Sequence, residues 1–450
     1  SFMKYYLLVI LLIASSYMQG QYSIKGTIDP DHDYSWILLY QMQNGEQSYV
    51  DNADVIDGQF TFNIDKNQSP GIYRAYYQIE NNLYVEFIYN KEEIEFSFDP
   101  NNPETTIYFS ESVENKIYQN YYKNIRAKQE ELDSVQVLYF ESTDKKEKKA
   151  LKKTYTSILN ELTTVQKDYE IRSSDLLANH FIRASAQHNA PQPMDTPNEY
   201  LNTIKIHFFD AMDLSDEVLS HSTFIYNRLN DYVFYLNQAE TLQRQNELQM
   251  DAIEKAVLWM DNYDQVKLAF ETELLEAYLD QENVDMINHV LHEYYLKLPE
   301  DYQDKEMIGR INASIKTMVG VRAPDFSWSE NGVDTSLYEL SGTDYYVVLF
   351  FSSNCPHCQI EVPEFYKFIS GIQNINVVAI GLEDEKRSWE IMTKDYSEFI
   401  NVLDLDKWSS QKVKDYGITA IPTYLVLDSN KNILAKPEDF NELKSMFETR

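Results

Sequence analysis

Tyr345-Tyr346-Val347-Val348-Leu349-Phe350-Phe351-Ser352-Ser353-Asn354-Cys355-Pro356-His357-Cys358 is an apolar run that leads, through three polar residues, into a pair of cysteines. These are the 2 cysteines of the 450-residue chain. A short run rich in valine and aromatic residues reads as a buried strand. Pro356 suits the first turn of a helix, so the helix is expected to begin at Cys355. Backbone N–H groups and the helix dipole favour a thiolate at that position, and His357 adds a nearby cation. Such surroundings lower a cysteine pKa from about 8.5 into the range of roughly 3.5–7.5, and the thiolate is the attacking species. Cys355 is therefore expected to be the exposed nucleophile. Cys358, one turn later and more buried, would resolve the mixed disulfide. The same Cys-x-x-Cys could supply half of a zinc site, but a structural site needs four ligands. No second cysteine pair exists and no histidine pair lies nearby at ligand spacing. No metal and no cofactor beyond the Cys355–Cys358 dithiol is expected.

Downstream, Thr419-Ala420-Ile421-Pro422-Thr423 places a proline at the opening of a strand, a position tolerated at an edge or beside a ligand. Between the two motifs, strands and helices alternate. The expected order is a strand near 325–329, the buried strand 345–351, a helix from Cys355 to about Ser370 and a strand at 375–381. A helix near 385–393, a strand at 399–403, a helix at 408–416, strands at 423–428 and 432–435 and a last helix from Glu438 follow. Such interleaving implies an α/β sheet covered on both faces, over residues 319–450.

Upstream, residues 21–110 alternate in short strands, punctuated by Asp57-Gly58, Pro70-Gly71 and Asp99-Pro100. Six or seven strands with such turns predict a small antiparallel β-sandwich. From 111 to 318 the apolar period becomes helical, as in Ile117, Tyr121, Leu132 and Val135, then Tyr155, Leu162 and Tyr169. The lysine-rich stretch 144–153 reads as a solvated link between those two helices. Later helices follow a break at Pro191, Pro193 and Pro197. His289-Val290-Leu291-His292-Glu293 lacks the acid position of a zinc-protease helix, so its histidines are read as structural. Asp213 to Glu217 lacks a calcium loop's ligand pattern and is read as a helix cap. The fold class is thus multidomain α+β: a β-sandwich, a central all-α domain and a C-terminal α/β domain.

Residues 1–20 follow a different logic. Lys4 precedes the apolar stretch Tyr5 to Ala14, with small and polar residues after it. This is the pattern of a secretory signal peptide, whose apolar core spans about 7–15 residues. A spanning helix would need about 20. Cleavage is expected near Gly20, leaving no transmembrane segment in the mature chain, which would lie in the periplasm or cell envelope. No cysteine follows the apolar run, so a lipidated N-terminal cysteine is not expected. In an exported protein, structural disulfides are usually several and spread over loops. A bridge between Cys355 and Cys358 would close a very short loop and constrain the unfolded chain little. A redox role fits the pair better. The formal net charge of −33 argues against nucleic acid and anionic membrane surfaces as partners.

Residues 320–450 resemble the envelope thioredoxins of the TlpA/ResA type. The resemblance rests on Gly320-Val321-Arg322-Ala323-Pro324-Asp325-Phe326, on Cys355-Pro356-His357-Cys358-Gln359-Ile360-Glu361-Val362-Pro363 and on Ile421-Pro422-Thr423. It implies a thioredoxin-like fold with Cys355 and Cys358 as redox pair and Glu361 as an acid that assists proton transfer. It also implies that Pro422 is cis and faces the dithiol, with Ile421 and Pro356 beside the substrate. The N-terminal strands are similar to a β-domain of unknown function that often precedes such thioredoxins. Two departures stand out: Leu349 occupies the position of the buried aspartate of cytosolic thioredoxin, and Asn354 that of the common tryptophan. The implied activity is thiol–disulfide exchange on cysteine-containing exported proteins, with an upstream dithiol electron donor, in the reducing or isomerising direction. The Pro356-His357 dipeptide resembles that of the oxidant DsbA, so a net oxidase is the alternative. A peroxiredoxin is not, since Val348 and Ser352 stand where its proline and threonine would be. A third reading makes the first 318 residues a binding module and the dithiol secondary.

Overall fold

The computed structural model describes residues 21–30, 34–43, 46–330 and 332–448; the expected signal peptide, 1–20, lies outside them. The chain divides into two compact units, residues 1–271 and 272–450. The expected helical domain, 111–318, is thereby shared between the two.

The first unit opens with β1 (Gln21–Ile28), β2 (Trp36–Gln43), β3 (Glu46–Asp54), β4 (Gln59–Asp65), β5 (Gly71–Gln78), β6 (Leu83–Tyr89), β7 (Ile94–Phe98) and β8 (Tyr108–Glu111). They form two four-stranded sheets, ordered β4-β1-β7-β8 and β3-β2-β5-β6. In β4 the even positions Phe60, Phe62 and Ile64 are buried and the odd ones exposed, the period-2 pattern of a strand with one wet face. They meet Phe87, Tyr89, Phe96 and Phe98 in one aromatic core. Gly26 sits opposite Phe60, and a Cβ there would lie 1.9 Å from the ring, so only glycine fits. The expectation of a purely antiparallel sandwich needs correction, because β1 pairs with β7 in parallel. Strands this far apart in sequence are joined by no hairpin that would force the opposite sense.

α1 (Val113–Glu141) and α2 (Lys145–Arg172) follow. They pack through Leu132, Val135, Tyr155 and Leu162. The lysine-rich stretch read as a link is instead the start of α2, and Asp144 caps it by accepting from the Lys146 N–H. Alternating charge does not break a helix; it only keeps that end wet. Asn115 fastens α1 to the sheet by exchanging hydrogen bonds with the Ile88 N–H (2.8 Å) and C=O (2.7 Å). The remaining helices include α3 (Ala178–Ala184), α4 (Pro197–Ile206), α5 (Thr223–Asn230) and α6 (Leu242–Trp259), and α7 (Asp264–Asp280) spans the division at 271/272. As expected, Asp216 caps a short helix, accepting from the Val218 N–H.

The second unit contains α8 (Val284–Glu293) and α9 (Lys305–Ile315), then β9 (Ser327–Glu330) and β10 (Val333–Ser336), which pair as a small ribbon. His289 meets the Tyr294 ring edge-on, the structural role expected of it. Next come β11 (Tyr345–Phe351), α10 (Pro356–Ile369), β12 (Ile375–Leu382), α11 (Lys386–Thr393) and β13 (Ile400–Asp404). α12 (Gln411–Asp415), β14 (Thr423–Asp428), β15 (Ile433–Ala435) and α13 (Phe440–Glu448) complete the unit. The five-stranded sheet runs β13-β12-β11-β14-β15, with β11, β12 and β13 mutually parallel and β14 and β15 antiparallel. β11 is buried on both faces. Tyr346, Val348 and Phe350 enter one core, while Val347, Leu349 and Phe351 enter the other, with Cys358 and Phe365 of α10. That double burial explains why β11 reads as a continuous apolar run rather than an alternating one.

Candidate active site

The dithiol sits where β11 hands over to α10. Cys355 is the N-cap of α10 and Pro356 its first residue. The Cys355 Sγ accepts from the Cys358 N–H at 3.4 Å, and its thiol donates to the Ile421 carbonyl at 3.7 Å. Cys355 is partly exposed and Cys358 fully buried. Both cysteines are free thiols. Burial pushes the Cys358 thiol far up, and the adjoining Cys355 sulfur and the Glu361 carboxylate push it the same way.

The Ile421–Pro422 bond is cis, and it brings the Ile421 carbonyl against the Cys355 sulfur from the start of β14. Two segments distant in sequence thus converge on one sulfur. The backbone at 421 and the partly exposed sulfur together form a place where an extended cysteine-bearing chain can lie. Glu361 is half-buried one turn after Cys358, and its Oε1 accepts from the Phe440 N–H at 3.1 Å. His357 and Pro356 are exposed on the first turn of α10, and no hydrogen bond joins the His357 ring to the Cys355 sulfur among the described residues. The interior proline, Pro363, lies within α10.

Two residues of this site were not singled out from the sequence. Glu383, directly after β12, is fully buried. Its carboxylate accepts from the Ser353 N–H (2.5 Å), the Ser353 hydroxyl (2.8 Å) and the Ser352 hydroxyl (3.3 Å). Ser352 in turn accepts from the Asn354 N–H at 3.2 Å, and the Ser353 carbonyl accepts from the Gln359 side chain at 2.8 Å. Glu383 therefore holds the three-residue turn that presents Cys355. The close approach of α11 behind it depends on Gly381, where a Cβ would lie 2.5 Å from the Trp389 ring. Removing the acceptor should be costly. Glu383→Ala is expected to lower unfolding free energy by about 3 kcal/mol, because each orphaned buried donor costs about 1–3 kcal/mol. Urea unfolding checks this, and Glu383→Gln should recover less than half of the loss.

The second is Tyr424 of β14. It is fully buried, two residues after Pro422, and pairs directly opposite Leu349. A sequence signal existed for each: an acid ending an apolar strand, and a tyrosine inside one. Neither reveals which sulfur it approaches.

His188, His207 and Asp210 are the one group of three metal-type donors that lie close together among the described residues. The two rings stack at 3.8 Å and 17°. Asp210 binds the His207 Nδ1 at 2.6 Å.

Residues 342–433 match a family model described as thioredoxin-like, and residues 22–118 match one described as a domain of unknown function, DUF4369. Among solved structures, a thioredoxin-like protein from Bacteroides caccae is 20% identical over 59% of this chain and 98% of its own, with a TM-score of 0.38. The thioredoxin domain of a thiol-disulfide oxidoreductase from Bacteroides vulgatus is 22% identical over 29% of this chain and 96% of its own, with a TM-score of 0.27. A domain of a possible thiol-disulfide isomerase from Cytophaga hutchinsonii is 29% identical over 29% of this chain and 92% of its own, with a TM-score of 0.26. Among curated proteins none matches. No helix among the described residues is long and apolar enough to cross a membrane. The chain carries a C-terminal thioredoxin-like domain, built around Cys355 and Cys358, together with an N-terminal DUF4369 domain.

Proposed function

We propose that this protein is a thiol–disulfide oxidoreductase that reduces or isomerises disulfides in exported proteins of the periplasm or cell envelope. The observation that carries the proposal is the placement of the Cys355 Sγ, 3.7 Å from the carbonyl of the residue preceding Pro422, with Cys358 buried one turn behind it. In the reducing direction the Cys355 thiolate attacks one sulfur of a substrate disulfide, and the other sulfur leaves as thiolate. Cys358 then attacks the Cys355 sulfur, the second substrate sulfur leaves, and the Cys355–Cys358 disulfide remains. Two electrons have passed to the substrate, and a dithiol donor restores the pair.

Export is supported by the signal-peptide pattern of residues 1–20. The exposure of His357, with no hydrogen bond from its ring to the Cys355 sulfur among the described residues, supports the reducing direction, because a solvated ring stabilises a neighbouring thiolate weakly. The equilibrium potential of the dithiol against glutathione tests it. A value between about −200 and −270 mV is expected, and one near about −120 mV would assign the protein as a net oxidase. Trapping with Cys358→Ser should accumulate mixed disulfides with envelope proteins; a trap that captures none would remove the proposed substrate class.

A further inference from the structure

To close on Cys355, Cys358 must lose a proton, and its surroundings make that hard. The strand faces beneath it contribute Val347, Leu349 and Phe351, and α10 contributes Val362 and Phe365. None can accept a proton. The polar groups near it are the Cys355 sulfur, the Glu361 carboxylate and the Tyr424 hydroxyl, the last buried without a hydrogen-bond partner of good geometry. An unpaired buried hydroxyl is costly and asks for an explanation. Its ring is fixed edge-on against Phe365, at 5.2 Å and 70°, and by its pairing opposite Leu349. The titratable groups facing the hydroxyl are Glu361 and Cys358 from α10 and Asp439 from the turn before α13. Of these two acids Glu361 is the one on α10, one turn after Cys358, held by the Phe440 N–H and half-open to solvent.

We infer that the Tyr424 hydroxyl relays the Cys358 proton to the Glu361 carboxylate in the resolving step. This rests on the thiol–disulfide exchange proposed above. The Cys358 S–H bond breaks, its proton passes to the Tyr424 oxygen, and the tyrosine's own proton passes to Glu361. The electron pair left on the Cys358 sulfur attacks the Cys355 sulfur of the mixed disulfide, and the substrate sulfur leaves as thiolate. Glu361 returns its proton to water. Burial raises the Tyr424 pKa, so the hydroxyl stays neutral and can both accept and donate throughout the working range.

The test uses the full-length reduced protein and an aromatic disulfide that releases thionitrobenzoate. Attack by Cys355 releases one equivalent, and resolution by Cys358 releases a second, so the second phase isolates the proposed step. Tyr424→Phe is expected to slow the second phase about tenfold at pH 7, the lower end of what proton-transfer catalysis contributes, with the difference narrowing as pH rises. Glu361→Gln should slow it equally, and the double variant no further. The Tyr424 hydroxyl makes no hydrogen bond of good geometry, so its loss should not lower unfolding free energy, and a thermal melt at or above wild type separates this effect from damage to packing. A Tyr424→Phe second phase with wild-type rate and pH profile would overturn the relay, as would one slowed equally at every pH. A wild-type protein that releases only one equivalent would instead overturn the exchange reaction itself.

Discussion

Cys355→Ser should abolish catalysed disulfide reduction, lowering turnover of a model protein disulfide by at least about a thousandfold, the scale of losing a nucleophile. Cys358→Ser should lower turnover as severely, but for another reason: Cys355 can still attack, and the mixed disulfide persists. The two variants also differ toward a small alkylating agent. In the reduced wild-type protein one thiol should be modified rapidly and the other only after unfolding, because Cys355 is partly exposed and Cys358 is fully buried. Intact mass after timed alkylation checks both statements. Rapid double modification of the folded protein would contradict the burial of Cys358. The strongly raised Cys358 pKa has the same sense, since a buried thiol that resists ionisation neither reacts with outside electrophiles nor resolves without help.

Glu271→Gln is expected to stabilise the protein by about 2–3 kcal/mol at pH 8 and to have no effect at pH 4. Glu271 is 1% exposed, one carboxylate oxygen has no hydrogen-bond partner, and burial raises its pKa to about 7 against partial relief from Lys267. Its folded pKa lies above the unfolded value, so the native state holds the proton more tightly. The stability this brings is complete below the unfolded pKa and is lost as pH rises through 7, where the fold must carry a buried carboxylate. The variant removes that pH-dependent loss. Urea unfolding of both proteins at the two pH values measures it, and equal unfolding free energies at pH 8 would count against a buried, unrelieved charge at 271.

Much of the redox domain was legible because its signals are local. β11 is buried on both faces and so appears as an uninterrupted apolar run. Pro356 fixes a helix start, and Pro422 marks a strand opening that a ladder interior would not tolerate. The helices of residues 111–318 were legible through their apolar period, though their partition between two compact units was not. The misses are equally physical. Eight strands form where six or seven were expected, and β3 carries almost no buried residues, so it shows no alternation to read. β8 has four residues, too few for a period. The start of α2 is rich in lysine, which hides a helix whose stability comes from its other face.

What the sequence by itself determined is the chemistry available: one pair of thiols, at a spacing that puts one at a helix start and the other one turn on. Only the tertiary structure decided which groups act on them. Ile421 reaches Cys355 across a long sequence separation, Glu383 grips the turn from the neighbouring strand, and Tyr424 enters the same core as Cys358 because β14 pairs with β11 in one register. A shift of that register by one residue would turn the Tyr424 hydroxyl to the opposite face of the sheet, away from the dithiol. Spacing along the chain fixes what lies on one helix turn; contacts between strands depend on pairing, which local pattern does not encode.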